Sequence, residues 1–157
     1  MHHDTPRSTA RIAGHPIHPM LVMFPVTLLI IAWALDLVFA ASREPLWATL
    51  GLIALGLGIV TALLAAVFGL VDYLGDARIR SFRSAHVHLV ANLIVVAIAI
   101  ANFLMRYTGG PSWILDWGVI LSSATVLLLG YSGWKGATLV YKHGVGVDSG
   151  VAARQGH

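Results

Sequence analysis

Cysteine is absent from this chain, which excludes thiolate-held iron–sulfur clusters, covalent c-type haem attachment and any disulfide. Glutamate occurs once, at Glu44, so a carboxylate-bridged di-iron centre lacks its ligands. Charge of either sign is scarce: Asp, Glu, Lys and Arg make up 11% of the residues, where soluble domains carry about 25%. There is no glycine-rich phosphate loop, no His-Glu-x-x-His pair and no serine nucleophile in a recognisable setting. An enzyme in its own right is therefore the least supported class.

Apolar residues take up the space left by charge. They form 57% of the 157 residues and gather into blocks at 20–41, 46–71, 89–105 and 114–134. Each block approaches or exceeds the roughly 17–25 residues a spanning helix needs. His86 and Val87 extend the third block to an adequate length. Backbone groups in lipid must satisfy one another, so four blocks mean four helices. The expected fold is all-α: an integral membrane four-helix bundle, up-down-up-down. Its spans are expected at about 20–41, 46–71, 86–106 and 114–137, within a domain over 14–147. Polar tails cover 1–13 and 148–157. Val38-Phe39-Ala40 faintly resembles a signal cleavage site, but the first block is longer than a signal core and carries Asp36, so it reads as a retained helix. No internal repeat is obvious, although the two hairpins are similar in length.

The formal charge of +3 does not point to nucleic acid, because the basic residues sit at the ends of the spans. Arg7, Arg11, Arg78, Arg80, Arg83, Lys135, Lys142 and Arg154 fall at one end, Arg43 and Arg106 at the other. The positive-inside rule then places both termini in the cytoplasm of a multi-pass protein of a bacterial inner membrane. Trp47, Tyr107, Trp113 and Trp117 form one interfacial belt, and Tyr73, Trp134 and Tyr141 the other.

Histidines concentrate at the cytoplasmic end. His15 and His18 precede the first span, His86 and His88 open the third, and His143 closes the fourth. Imidazole is a ligand for haem iron, zinc, copper and non-haem iron. His88 shares a helical face with Asn92, whereas His86 points away from it. The candidate cofactor-binding set is His15, His18, His88 and His143, with Gly130 and Gly133 lining a porphyrin face and Arg80 receiving propionates. The candidate non-haem metal set is His15, His18, His88, His143 and Asp72, for zinc, copper or iron. Asp72 has a second option, pairing with Arg78 or Arg80. Residues 58, 62 and 66 in helix two are small, a spacing suited to close packing. Pro16 and Pro19 stiffen the lead-in and leave His18 as the expected helix cap, and Pro25 should loosen the first turns. Asp36, at the opposite end, is either a structural hydrogen-bonding group or a proton carrier.

Gly14-His15-Pro16-Ile17-His18-Pro19, then Phe24-Pro25, and later Leu139-Val140-Tyr141-Lys142-His143-Gly144-Val145-Gly146-Val147 form a pattern. With Asp36, Gly69-Leu70-Val71-Asp72 and His88-x-x-x-Asn92, it resembles a bacterial four-helix inner-membrane family of unknown function. Members of that family occur alone or joined to Rieske-type or cytochrome-type redox modules, which implies a redox setting and a respiratory or other redox protein as partner. The leading expectation is a b-type haem protein for electron transfer or redox sensing, with His88 and either His18 or His143 as axial ligands. The alternatives are a non-haem metal protein and a non-catalytic scaffold or accessory subunit. The lipid bilayer is the assured partner, and a homo-oligomer is compatible with the chain.

Overall fold

The computed structural model describes Pro6 and residues 8–147. The distal parts of both tails, with His2, His3, Arg7, Arg154 and His157, lie outside the described residues. Four helical stretches are long and apolar enough to cross a membrane: Ile17–Ser42, Pro45–Gly75, Arg83–Gly109 and Ile114–Tyr141. Each begins or ends a few residues beyond its expected span.

The first stretch has two parts, α1 (Ile17–Leu21) and α2 (Met23–Ser42), with the break at Val22. Pro25 explains the break, because it has no N–H to give to the carbonyl one turn earlier, that of Leu21. Arg43, in the left-handed region at φ 61°, ends α2, and Pro45 opens α3 (Pro45–Gly75). A short α4 (Ala77–Ser81) crosses between the hairpins, capped by the Asp76 side chain accepting from the Arg78 N–H. α5 (Arg83–Gly109) returns across the bundle. A π-helical turn (Ile114–Gly118) then leads into α6 (Val119–Tyr141).

α2 packs on α3 and α6, and α5 packs on α6 and α3, so α2 lies diagonal to α5. Packing is denser within each hairpin than between them. The apolar core is Leu29, Ala32, Ala54, Leu55, Val95 and Ala99. Gly58 lets Leu29 in, since a Cβ there would lie 2.9 Å from Leu29 Cδ2. The stripe at 58, 62 and 66 is not the packing face: Ala66 is exposed, and the buried small residues of α3 are Ala48, Gly51, Ala54, Gly58 and Ala65. Large apolar side chains cover the outer surface, including Leu127 and Val60, as lipid contact requires. Trp117, Tyr107, Trp134 and Tyr141 are more than half exposed on the same surface, consistent with interfacial belts.

Ahead of α1, Arg11–Ile12 and His15–Pro16 form a two-stranded antiparallel hairpin. Ala13 and Gly14 turn it, both at positive φ (48° and 83°), as a two-residue hairpin loop requires. The lead-in is thus a tight hairpin rather than an extended segment. His18 lies inside α1, whose cap is Pro16.

Candidate functional site

Two polar centres mark the two ends of the bundle. At the histidine end, His18 comes from α1 and His88 from α5, and their rings meet edge to face with centres 6.2 Å apart. His18 Nδ1 is 2.8 Å from the Ala65 carbonyl of α3, and His88 Nδ1 is 2.8 Å from the Ser132 carbonyl of α6. A carbonyl only accepts, so each Nδ1 carries its proton and donates it. That fixes the tautomer and leaves the lone pair on both Nε2 atoms. The Asn92 amide spans one turn, donating to the His88 carbonyl (2.8 Å) and toward His88 Nε2 (3.2 Å).

Glycine makes room for both rings. A Cβ on Gly69 would lie 2.8 Å from His18 Nδ1, and one on Gly136 would lie 3.1 Å from His88 Cε1. Each glycine stands four residues after the carbonyl that its imidazole uses, so helix, carbonyl and missing side chain form one socket. Substitution of Gly69 by Val should push the His18 ring off the Ala65 carbonyl. In ¹⁵N-histidine NMR the hydrogen-bonded Nδ1–H signal of His18 is expected to vanish while that of His88 persists.

The other expected site residues lie elsewhere. His15 is exposed on the hairpin. His143 stacks on Phe82, with ring centres 4.0 Å apart. His86 is exposed, packs edge-on against Tyr73 and borders an open groove of about 320 Å³ with Val90, Ile94, Leu128 and Tyr131. Gly130 and Gly133 face open space, with no atom within 4 Å of a Cβ at either, so they line nothing near the histidines. Arg80 bonds the carbonyls of Leu74 and Tyr73 at the end of α3. Among the described residues, no group of three or more His, Asp or Glu is placed to hold a metal ion.

Among the described residues, Asp72 orients no imidazole and pairs with neither Arg78 nor Arg80. Its carboxylate accepts from Ser8 Oγ (2.9 and 3.0 Å), from the Ala10 N–H (2.8 Å) and from Thr9 Oγ1 (3.4 Å). It therefore anchors the N-terminal segment that leads to His18. Gly75 makes that approach feasible, because a Cβ there would overlap the Thr9 side chain. The Gly146 N–H adds a second tie, to the Pro6 carbonyl. Asp72→Ala should strand the Ala10 N–H, remove the acceptor that Ser8 and Thr9 share, and free this segment. Limited proteolysis should then cut before residue 14 much faster than in the parent, with the spans intact.

At the opposite end Asp36 is fully buried and ion-paired with Arg106, both guanidinium nitrogens reaching the carboxylate at 2.5 Å. Arg106 Nε donates to Asn102 Oδ1 at 2.9 Å, and the Gly118 carbonyl sits at 3.4 Å from Nη2. Such bidentate geometry is what a buried carboxylate needs. Asp36 is thus held in a buried ion pair that ties the two hairpins together. Arg106 counts in the sequence as a topology-setting charge, and its role was missed. The available signal was its spacing of four from Asn102, which puts both polar groups on one face of an otherwise apolar helix.

Residues 14–149 match the model of one family, described as a predicted membrane protein (DUF2231). The chain belongs to that family. The match covers both histidines of the pair, both ends of the Asp36–Arg106 lock and all four spans of this DUF2231 protein. No curated protein and no solved structure matches the chain.

Proposed function

We propose that this DUF2231 protein would hold a b-type haem at its histidine end, with His18 and His88 as the residues that would bind it. The observation that carries the proposal is the pair of adjacent imidazoles, one from each hairpin, each with Nδ1–H spent on a backbone carbonyl. Metal-ligating histidines are oriented by the same second hydrogen bond. Ala65 and Ser132, whose carbonyls hold the two rings, are buried and small.

Haem would supply reversible one-electron chemistry there, in electron transfer or redox sensing. The protein's part is to present two imidazoles of fixed tautomer and to hold His88 through Asn92 and Ser132. With Arg106 consumed by Asp36, Arg43 alone weighs against the basic residues of the histidine end among the described residues. That balance supports a cytoplasmic site in a bacterial inner membrane. A redox protein at that face is the partner this function calls for.

Titration of haemin into detergent-purified protein tests the proposal. A shifted, sharpened Soret band that saturates at one haem per chain is expected. A non-saturating change, identical in the His18→Ala/His88→Ala protein, would leave the histidines as polar packing in a membrane scaffold.

A further inference from the structure

The partners at both ends of the bundle come from corresponding places in the two hairpins. Asp36 and Arg106 are 70 residues apart, and so are His18 and His88. The same shift carries the buried residues Pro25, Leu29 and Ala32 of α2 onto Val95, Ala99 and Asn102 of α5, also buried. A second constant shift carries Gly51, Leu55, Gly58 and Ala65 of α3 onto Gly118, Ser122, Thr125 and Ser132, again all buried. Ala48 falls on buried Ile114 once α6 is allowed one additional residue after it. The π turn, which inserts a residue into a helix, lies at that point.

Two helices with one buried face share a period in any case, so periodicity alone decides nothing. Contacts decide it. His18 on the Ala65 carbonyl corresponds to His88 on the Ser132 carbonyl, with Gly69 and Gly136 against the two rings. Gly51 and Gly118 flank the ion pair from opposite sides, their Cβ positions 3.3 Å from Asp36 Oδ1 and 3.4 Å from Arg106 Nη2. Between hairpins, Trp33 Nε1 donates to Ser123 Oγ at 3.0 Å, and the corresponding Phe103 lies 3.0 Å from the Cβ position of Gly56.

We propose that the chain is two copies of one helical hairpin docked about a two-fold axis along the membrane normal. The inner face of each hairpin is then an interaction surface whose partner is a second copy of itself. α2 and α5 cross in the same direction, which gives an axis along the normal rather than in the membrane plane. The histidine pair and the Asp36–Arg106 pair both straddle this axis. Asp36 and Arg106 are the one corresponding pair whose charges are opposite, which keeps the two halves in one arrangement. The relation holds whether or not a cofactor lies between the histidines.

Exchanging corresponding residues in the full chain tests it. The first exchange moves the outer lock to the other half: Ala32→Asn, Asp36→Arg, Asn102→Ala and Arg106→Asp. The second moves the indole–hydroxyl contact: Trp33→Phe, Ser123→Gly, Phe103→Trp and Gly56→Ser. Thermal midpoints in detergent are compared with one-sided controls, Asp36→Arg or Arg106→Asp for the first and Phe103→Trp for the second. Each exchange is expected to regain most of the midpoint that its controls lose. Recovery in either supports the two-fold relation. If neither exchange rises above its controls, the halves are not equivalent and the proposal fails.

Discussion

Arg106→Ala should destabilise the bundle by about 3–5 kcal/mol, because it leaves the Asp36 carboxylate buried without its counter-charge. Asn102 and the Gly118 carbonyl lose a donor in the same step. The companion double variant, Asp36→Leu with Arg106→Leu, should recover much of that loss, since it removes both charges from an apolar site. Thermal or denaturant unfolding in detergent reads the difference. A double variant no better than Arg106→Ala would show that the pair contributes more than mutual neutralisation.

His88→Ala should abolish haem binding while the bundle survives. The ring is held by one backbone carbonyl and by Asn92 and Ser132, and its removal opens space beside Gly136 rather than leaving a charge. His18→Ala should behave alike. His15→Ala and His143→Ala should retain binding, because one residue is exposed and the other stacks on Phe82. Bound haem per chain, set beside the elution volume of the same sample, separates loss of ligand from loss of fold. Loss of haem in His143→Ala with His88→Ala unaffected would relocate the site.

The spans were legible because their signal is a sum over many residues: Leu, Ile, Val and Ala crowd four stretches, and no soluble fold needs that. Which histidines meet was not legible. Hydropathy places His15, His18, His88 and His143 at one end, but it says nothing about the hairpin that leaves His15 exposed or the Phe82 stack that holds His143. His18 and His88 were separable from the rest only through their sockets, and those need the carbonyls of Ala65 and Ser132. Glycines misled for a related reason. Gly130, Gly133 and Gly136 sit three apart, yet only Gly136 faces inward, because such a row drifts around the helix. The Asp36–Arg106 lock joins residues 70 positions apart, and the sequence offered the acid as a puzzle and the base as a topology signal. The similar lengths of the hairpins hinted at a duplication that became visible only when equivalent contacts were paired.

The most direct test of the proposed haem site is the reduced-minus-oxidised absorption spectrum of the protein purified from haem-replete cells. Resolved α and β bands and a sharpened Soret band, lost in both His18→Ala and His88→Ala, are the expected result. A colourless protein without haem bands, folded and with the parent elution volume, would contradict it and leave the facing imidazoles as structural pegs.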